Sequence, residues 1–178
     1  PAMGGSISGS GINCPMYCTE FYESCTDVTL NATANSGYSF NSWSGCNSSS
    51  GSTCYITMDG DKNVTANFCQ LNTYHRAADG DGYGNPNDPI RACTQPTGYV
   101  INNTDCDDND NKVYPSATEI CDGKNNDCND DTPDGSGEPW HGNPTSCGVG
   151  VCSSIGQLMC LSGNQVDTCA PGSPTEIP

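Results

Sequence analysis

Residues 28–43 read VTLNATANSGYSFNSW, and the fold of the first third of the chain turns on this stretch. Val28, Leu30, Ala32 and Ala34 alternate with Thr29, Asn31 and Thr33, the period of two expected of a half-buried strand. Asn35-Ser-Gly37 supplies a turn, and Tyr38 to Trp43 forms the next strand. Further along, Cys54 to Met58 reads as another strand. Asp59-Gly-Asp61 turns it into Asn63–Phe68, where Val64, Ala66 and Phe68 share one face. The chain to about Cys69 is therefore β-structure.

Composition says what can hold such a chain together. Of 178 residues only 33% are apolar, with 21 Gly and 12 Pro. A chain this polar lies close to the disordered class. Fourteen cysteines, spread along its whole length, place it instead in an oxidising compartment where cross-links stand in for a large core. The CxxC pairs and Cys/His clusters of a cytosolic metal or redox protein are missing from the sequence. No signal peptide or transmembrane run is visible, so the sequence reads as a mature or excised form. Sequons at Asn31, Asn47, Asn63 and Asn102 are glycosylation candidates in keeping with secretion. Asn31 and Asn63 are expected on the polar faces of their strands.

The formal net charge is −16. Such a chain has no basic surface to neutralise phosphate, which excludes nucleic acid as a partner, and anionic membranes repel it. The charge is concentrated. Between Asp79 and Asp134, twelve Asp and one Glu face three basic residues, a net of −10.

That acidic stretch contains DGDGYG (79–84), TDCDDNDNKVYP (104–115) and EICDGKNNDCND (119–130). Asp at alternate positions with interleaved Gly gathers carboxylates round one point while the backbone turns sharply. Ca²⁺ requires this arrangement, since it takes about 6–8 oxygens from carboxylates, carbonyls and water. Asp79, Asp81 and the carbonyl of Tyr83 match the first three ligand offsets of an EF-hand loop, but no Glu stands at the twelfth position. Zn²⁺ or Cu²⁺ would call for imidazole or thiolate, and the chain has two histidines, His75 and His141.

Two resemblances sharpen these readings. Over roughly residues 7–69, Tyr38-x-Phe40-x-x-Trp43-x-Gly45 and Met58-Asp-x-Asp-Lys-x-Val-Thr-Ala-x-Phe68 resemble the bacterial surface repeat related to the internalin B-repeat, a small β-grasp module used as a spacer or adhesive unit. In that module Cys14–Cys18 and Cys46–Cys54 close local loops. Cys25 and Cys69 lie outside its pattern and are expected to pair with each other, while Trp43 belongs to the core. Residues 74–131 resemble the metal-binding motif found in repeats in secreted bacterial proteins, akin to thrombospondin type 3 calcium repeats. The resemblance implies several calcium ions held at Asp79, Asp81, Asp105, Asp107, Asp110, Asp122 and Asp127, with Cys93–Cys106 and Cys121–Cys128 as staples. The candidate ligand set also takes in Asn85, Asn109, Asn126 and Asp131. Ala77 stands where the motif commonly has Asp, and Asn129-Asp130 replaces its usual Asp-Gly.

After a Pro/Gly-rich hinge (133–144), four cysteines fall within about 23 residues. Two short strands are expected around Cys160 and Val166, with Gly163-Asn164 turning between them. Four cysteines allow three pairings; Cys147–Cys160 with Cys152–Cys169 is favoured. The segment resembles the short Cys-Gly-x-Gly-x-Cys unit that follows the metal motif in the same proteins.

The expected architecture is mainly β and irregular. A β-grasp-like domain (1–70) precedes a calcium-loop segment (71–134) and a disulfide-stapled β-hairpin tail (135–178). Two histidines and no free thiol offer no catalytic triad, so an enzyme is not expected. The expected role is that of a calcium-rigidified structural protein outside the cell or on its surface, with no membrane insertion. Copies of itself in a filament are the expected partners. A spacer or adhesion segment with cell-surface or glycan contacts, and a copper or other metal scavenger, are the alternatives. The Gly/Ser-rich start PAMGGSISGSG (1–11) and the end APGSPTEIP (170–178) have the composition of tails that order only when held, which suggests that the start adds a strand to a neighbour's sheet edge.

Overall fold

The structure, a computed structural model, describes residues 4–173. It is mainly β and irregular, with no α-helix among the described residues. Contacts divide it into two units, residues 1–73 with 91–96, and residues 74–90 with 97–178.

In the first unit β1 (Gly5–Gly9), β2 (Ile12–Cys14), β3 (Asp27–Ala34), β5 (Ser48–Ser50) and β6 (Thr53–Thr57) form one antiparallel sheet in the order β2-β1-β3-β6-β5. β4 (Tyr38–Ser44) and β7 (Thr65–Gln70) form a separate ribbon. β3 alternates as its sequence requires: Val28, Leu30 and Ala32 are buried, and Asp27, Thr29, Asn31 and Thr33 are exposed. Val28 faces Ile56 and Leu30 faces Cys54 across the ladder to β6. These four residues are the core, with Ile7, Ile12, Tyr22, Trp43, Met58 and Val64 packed round them. Each fully buried aliphatic side chain contributes about 1.5–3 kcal/mol. Phe40 meets both Trp43 and Phe68 (5.7 and 6.0 Å between ring centres), tying the ribbon together.

The start of the chain departs from expectation. Gly5–Ser8 pair with β3 and Ile7–Gly9 with β2, so this stretch adds a strand to the chain's own sheet. Residues 1–3 and 174–178, the outer parts of the two tails, lie outside the described residues. Asn31 is exposed on β3 as expected, whereas Asn63 is exposed ahead of β7 rather than within it.

β8 (Asn72–Arg76) lies between β9 (Pro89–Ala92) and β10 (Tyr99–Val100). The chain then runs without regular structure to β11 (Pro144–Cys147), a 3₁₀ turn (Gly150–Cys152), β12 (Ser154–Leu161) and β13 (Asn164–Asp167). β12 is the middle strand of the last sheet. Leu161 pairs with Asn164, so the β12–β13 turn is Ser162-Gly163, one residue earlier than expected, with both residues at positive φ.

Six disulfides cross-link the described chain. Cys14–Cys18 and Cys46–Cys54 are the local pairs expected. The other expected pairings give way to longer connections, because the fold brings together cysteines distant in sequence. Cys69, on the β4–β7 ribbon, joins Cys93 rather than Cys25. Cys25 sits instead in the turn entering β3, its N–H bound to the Met58 carbonyl. Cys106 joins Cys128 rather than Cys93, stapling the two ends of the acidic loops. Cys121 joins Cys160 of β12 rather than Cys128, which ties the hairpin to the acidic segment. Cys147 and Cys169 flank the start of β12 and join across it, so neither Cys147–Cys160 nor Cys152–Cys169 forms. Cys25 and Cys152 are left as free thiols, the first exposed and the second half-buried; a chain without free thiols was expected.

Candidate metal centre

The site is assembled by backbone turns. Gly80 and Gly82 have φ of 84° and 95°, a conformation that costs glycine little and other residues more. They let the chain wind from Asp79 to Tyr83 so that each acid binds the backbone two residues on. Asp79 Oδ1 accepts from the Asp81 N–H (3.1 Å), and Asp81 Oδ1 from the Tyr83 N–H (2.7 Å). Asp105 repeats the pattern with the Asp107 N–H (2.9 Å). Asp108 reaches the first loop directly, its Oδ1 accepting from the Ala78 N–H (2.7 Å). Gly84 closes the loop against Asn102, His75 and Val100, leaving no space for a Cβ. The Asn102 side chain clamps it, accepting from the Gly84 N–H (2.9 Å) and donating to the Gly82 carbonyl (3.0 Å). Asn102, one of the glycosylation candidates, is thus half-buried in a loop contact. Tyr83 stacks on Tyr114 at 5.4 Å between ring centres.

The second oxygens of these acids define the centre. Oδ2 of Asp79, Asp81 and Asp105 are all buried without a hydrogen-bond partner. Asp79, Asp105 and Asp108 each bring a carboxylate oxygen within 4.8 Å of one another, and Asp105 is 3% exposed. Burial pushes the Asp81 and Asp105 carboxyls above the ordinary carboxylate range. The neighbouring charges of Asp79 and Asp108 push further, outweighing the N–H bonds that lower them. An orphaned buried oxygen costs about 1–3 kcal/mol, and three of them beside a fourth carboxylate need positive charge. The residues present fit a bound cation, and the donors are oxygens, the chemistry of a hard ion.

Of the expected ligands, Asp79 and Asp105 come together within 4.8 Å, and Asp81 lies near enough for its charge to act on Asp105. Asp108 belongs with them and was not singled out from the sequence. Asp107 and Asp110 have other partners: Asp107 Oδ1 accepts from the Asn109 side chain, and Asp110 pairs with Lys124, whose hydrogen bond holds its carboxyl below the usual range. Asn85 Oδ1 accepts from the Asn87 N–H, and its carbonyl meets His75 Nδ1. Asp122, Asn126 and Asp127 lie outside this cluster, as does Asp131, whose N–H is bound by Asn129. A second geometric group, Cys121, Asp134 and Cys160, offers no thiolate because its cysteines are bonded to each other.

A β-rich repeat unit followed by an acidic metal-binding segment is the make-up of a surface or adhesion-type protein. Residues 1–72 match the family model of the divergent InlB B-repeat domain. Residues 105–134 match a model described as "Putative metal-binding motif", whose name refers to copper binding. Asp79 and Asp81 lie outside the second match, so the centre draws two of its four acids from beyond it. Comparison with curated proteins and with solved structures finds no match. No helix among the described residues is long and apolar enough to cross a membrane.

Proposed function

We propose that this chain is a non-enzymatic structural protein of the cell exterior, that its acidic segment folds around calcium, and that copies of it assemble into an extracellular filament. The observation that carries the calcium reading is the gathering of Asp79, Asp105 and Asp108 carboxylate oxygens within 4.8 Å of one another, with Oδ2 of Asp79 and of Asp105 buried and without a hydrogen-bond partner. Calcium supplies positive charge and tolerates an irregular oxygen cage. Because the cage forms only when two loops meet, binding contributes directly to folding.

Assembly is supported by apolar side chains left in water. Phe21 is 98% exposed and Val151 93%, with Val149, Ile155 and Met16 also largely exposed. The six disulfides and the surface-repeat match support an extracellular or cell-surface location. The alternative of a calcium-binding spacer or adhesion segment shares every feature except self-association. Copper scavenging is favoured by the name of the matched model and by His141, whose Nε2 is buried without a partner beside Trp140.

Elemental analysis of the purified protein, with electron microscopy in calcium-containing buffer, tests these readings together. Calcium in at least stoichiometric amount and filaments are expected. Copper as the resident metal overturns the first reading, and uniform monomers overturn the second.

A further inference from the structure

Each unit holds seven of the fourteen cysteines and closes three disulfides of its own. Each is therefore left with one thiol, Cys25 in the first and Cys152 in the second. In an oxidising compartment, an odd cysteine left over by a finished fold calls for a partner outside it.

The backbone at Cys25 carries a second, independent sign. Its φ is 67°, in the left-handed region that strains a residue with a Cβ and that glycine occupies freely. Hydrogen bonds fix the turn: the Cys25 N–H donates to the Met58 carbonyl (2.7 Å), and the Met58 N–H to the Thr26 carbonyl (2.9 Å). Strain of this kind persists where the side chain serves a function. The other cysteine at positive φ, Cys128 at 57°, is bonded to Cys106. Cys25 is exposed, and four residues before it Phe21 is 98% exposed.

Cys152 is the complement. It ends the 3₁₀ turn, is half-buried, and its carbonyl accepts from the Gly172 N–H (3.1 Å). Its chain neighbours Val149, Val151 and Ile155 are 85, 93 and 84% exposed. A disulfide holds its two Cα atoms about 4.4–6.8 Å apart. Two half-buried thiols reach that separation only by displacing what covers them. The exposed Cys25 can approach Cys152 directly, and Phe21 would then have apolar side chains to meet.

We infer that Cys25 of one copy forms a disulfide with Cys152 of the next, a head-to-tail bond that leaves one free thiol at each end of the polymer. Heterologous contacts of this kind build open chains rather than closed dimers. The bond needs an oxidant, a small-molecule or protein disulfide. One thiol is first capped as a mixed disulfide; the second thiolate attacks it and joins Sγ to Sγ, and the oxidant leaves as two thiols carrying both protons and both electrons. The inference rests on the self-assembly reading and adds to it the bond and its direction.

The test incubates the full chain in calcium-containing buffer with reduced and oxidised glutathione and quenches by alkylation. Non-reducing gels, disulfide peptide maps and electron micrographs are then read together. Wild type is expected to give a ladder of covalent oligomers that reductant collapses to monomer. Its map should contain a Cys25–Cys152 junction peptide, of mixed label when ¹⁵N-labelled and unlabelled chains are oxidised together. Cys25→Ser and Cys152→Ser, with the six internal disulfides unchanged, are each expected to lose every species above monomer. An equal mixture of the two variants is expected to give a covalent dimer and nothing larger. A covalent dimer from either variant alone would mean like-to-like pairing. A junction peptide never of mixed label would mean a bond within one chain, and two alkylated thiols per wild-type chain would mean no bond. Each of these overturns the inference. Filaments in the micrographs beside any of them would leave the self-assembly reading standing, whereas monomers throughout would defeat that reading as well.

Discussion

The two units bury different chemistry. In the first, the buried residues are Val28, Leu30, Ala32, Cys54, Ile56 and Ala66, all apolar. In the second, Tyr74, Val113 and Cys160 are joined by His75, Asp105, Asp108, Glu119 and Asn126, and every buried polar side chain among the described residues lies there. One interior is closed by expelling water from hydrocarbon, which needs nothing from outside the chain. The other gathers acids that repel one another, and on the proposed reading it closes round positive charge. Two halves of one disulfide-linked chain therefore respond to different variables.

Removing the cation is the hardest blow to this contrast. Chelation with disulfides intact is expected to open residues 74–134 and leave the first unit folded. Ligand at 100 times its dissociation constant stabilises by about 2.7 kcal/mol. Hydrogen-exchange protection in that segment should therefore fall about 100-fold, with amides of β3 and β6 unchanged. Equal protection with and without chelator would erase the distinction. Leu30→Ala attacks the other side. It should destabilise the first unit by about 2–5 kcal/mol in denaturant unfolding, with calcium affinity unaltered.

Replacing Cys106 and Cys128 by Ser opens a staple of 22 residues and should cost the second unit about 3 kcal/mol. Part of that loss should be recovered at high calcium, which the first unit would not show on losing Cys46–Cys54. Asn102→Ala removes the clamp on the Gly82–Gly84 backbone. A loss of about 1–3 kcal/mol is expected, read as weaker calcium binding.

The smallest effect is the response to pH. Asp81, Asp105 and Glu119 have folded-state pKa values above their unfolded ones, so the folded, metal-free unit binds protons more readily than the unfolded chain. Its stability then falls as pH rises through those raised values and recovers as pH is lowered through the same window. The calcium-loaded unit should respond with the opposite sign, because protons compete with the ion. Thermal melts of the two forms between neutral pH and the ordinary carboxylate range should diverge, and parallel curves would count against a carboxylate cage.

How much of this was legible in the sequence differs between the units for a physical reason. The alternation in 28–34 reports a sheet face directly, and β3 follows it residue for residue. β1 and β2 carried no such pattern, since Gly, Ser and single Ile residues leave period two unmarked; their order comes from pairing with β3. The Asp-Gly loops pointed to clustered carboxylates through local spacing, and Asp79 and Asp105 do lie together. The fourth acid did not follow the alternation. The chain turns at Asp107, whose carbonyl accepts from Asn109 and Asp110, and this presents Asp108 to the first loop. Disulfide partners were the least legible, because a cysteine's neighbours in space are set by the finished fold. Cys121 meets Cys160 only once β12 has packed against the acidic segment.

The placement of β1 has a consequence for load. β1 is held by β3 from Gly5 and by β2 from Ile7, so a pull on the chain ahead of it meets the β3 ladder first and the second ladder two residues on. In any longer protein that carries this unit under tension, force entering at Gly5 would have to break its pairing with Ala34 before the sheet could be peeled. The mechanical anchor would then be the Gly/Ser-rich start, the part of the sequence that looks least able to bear strain.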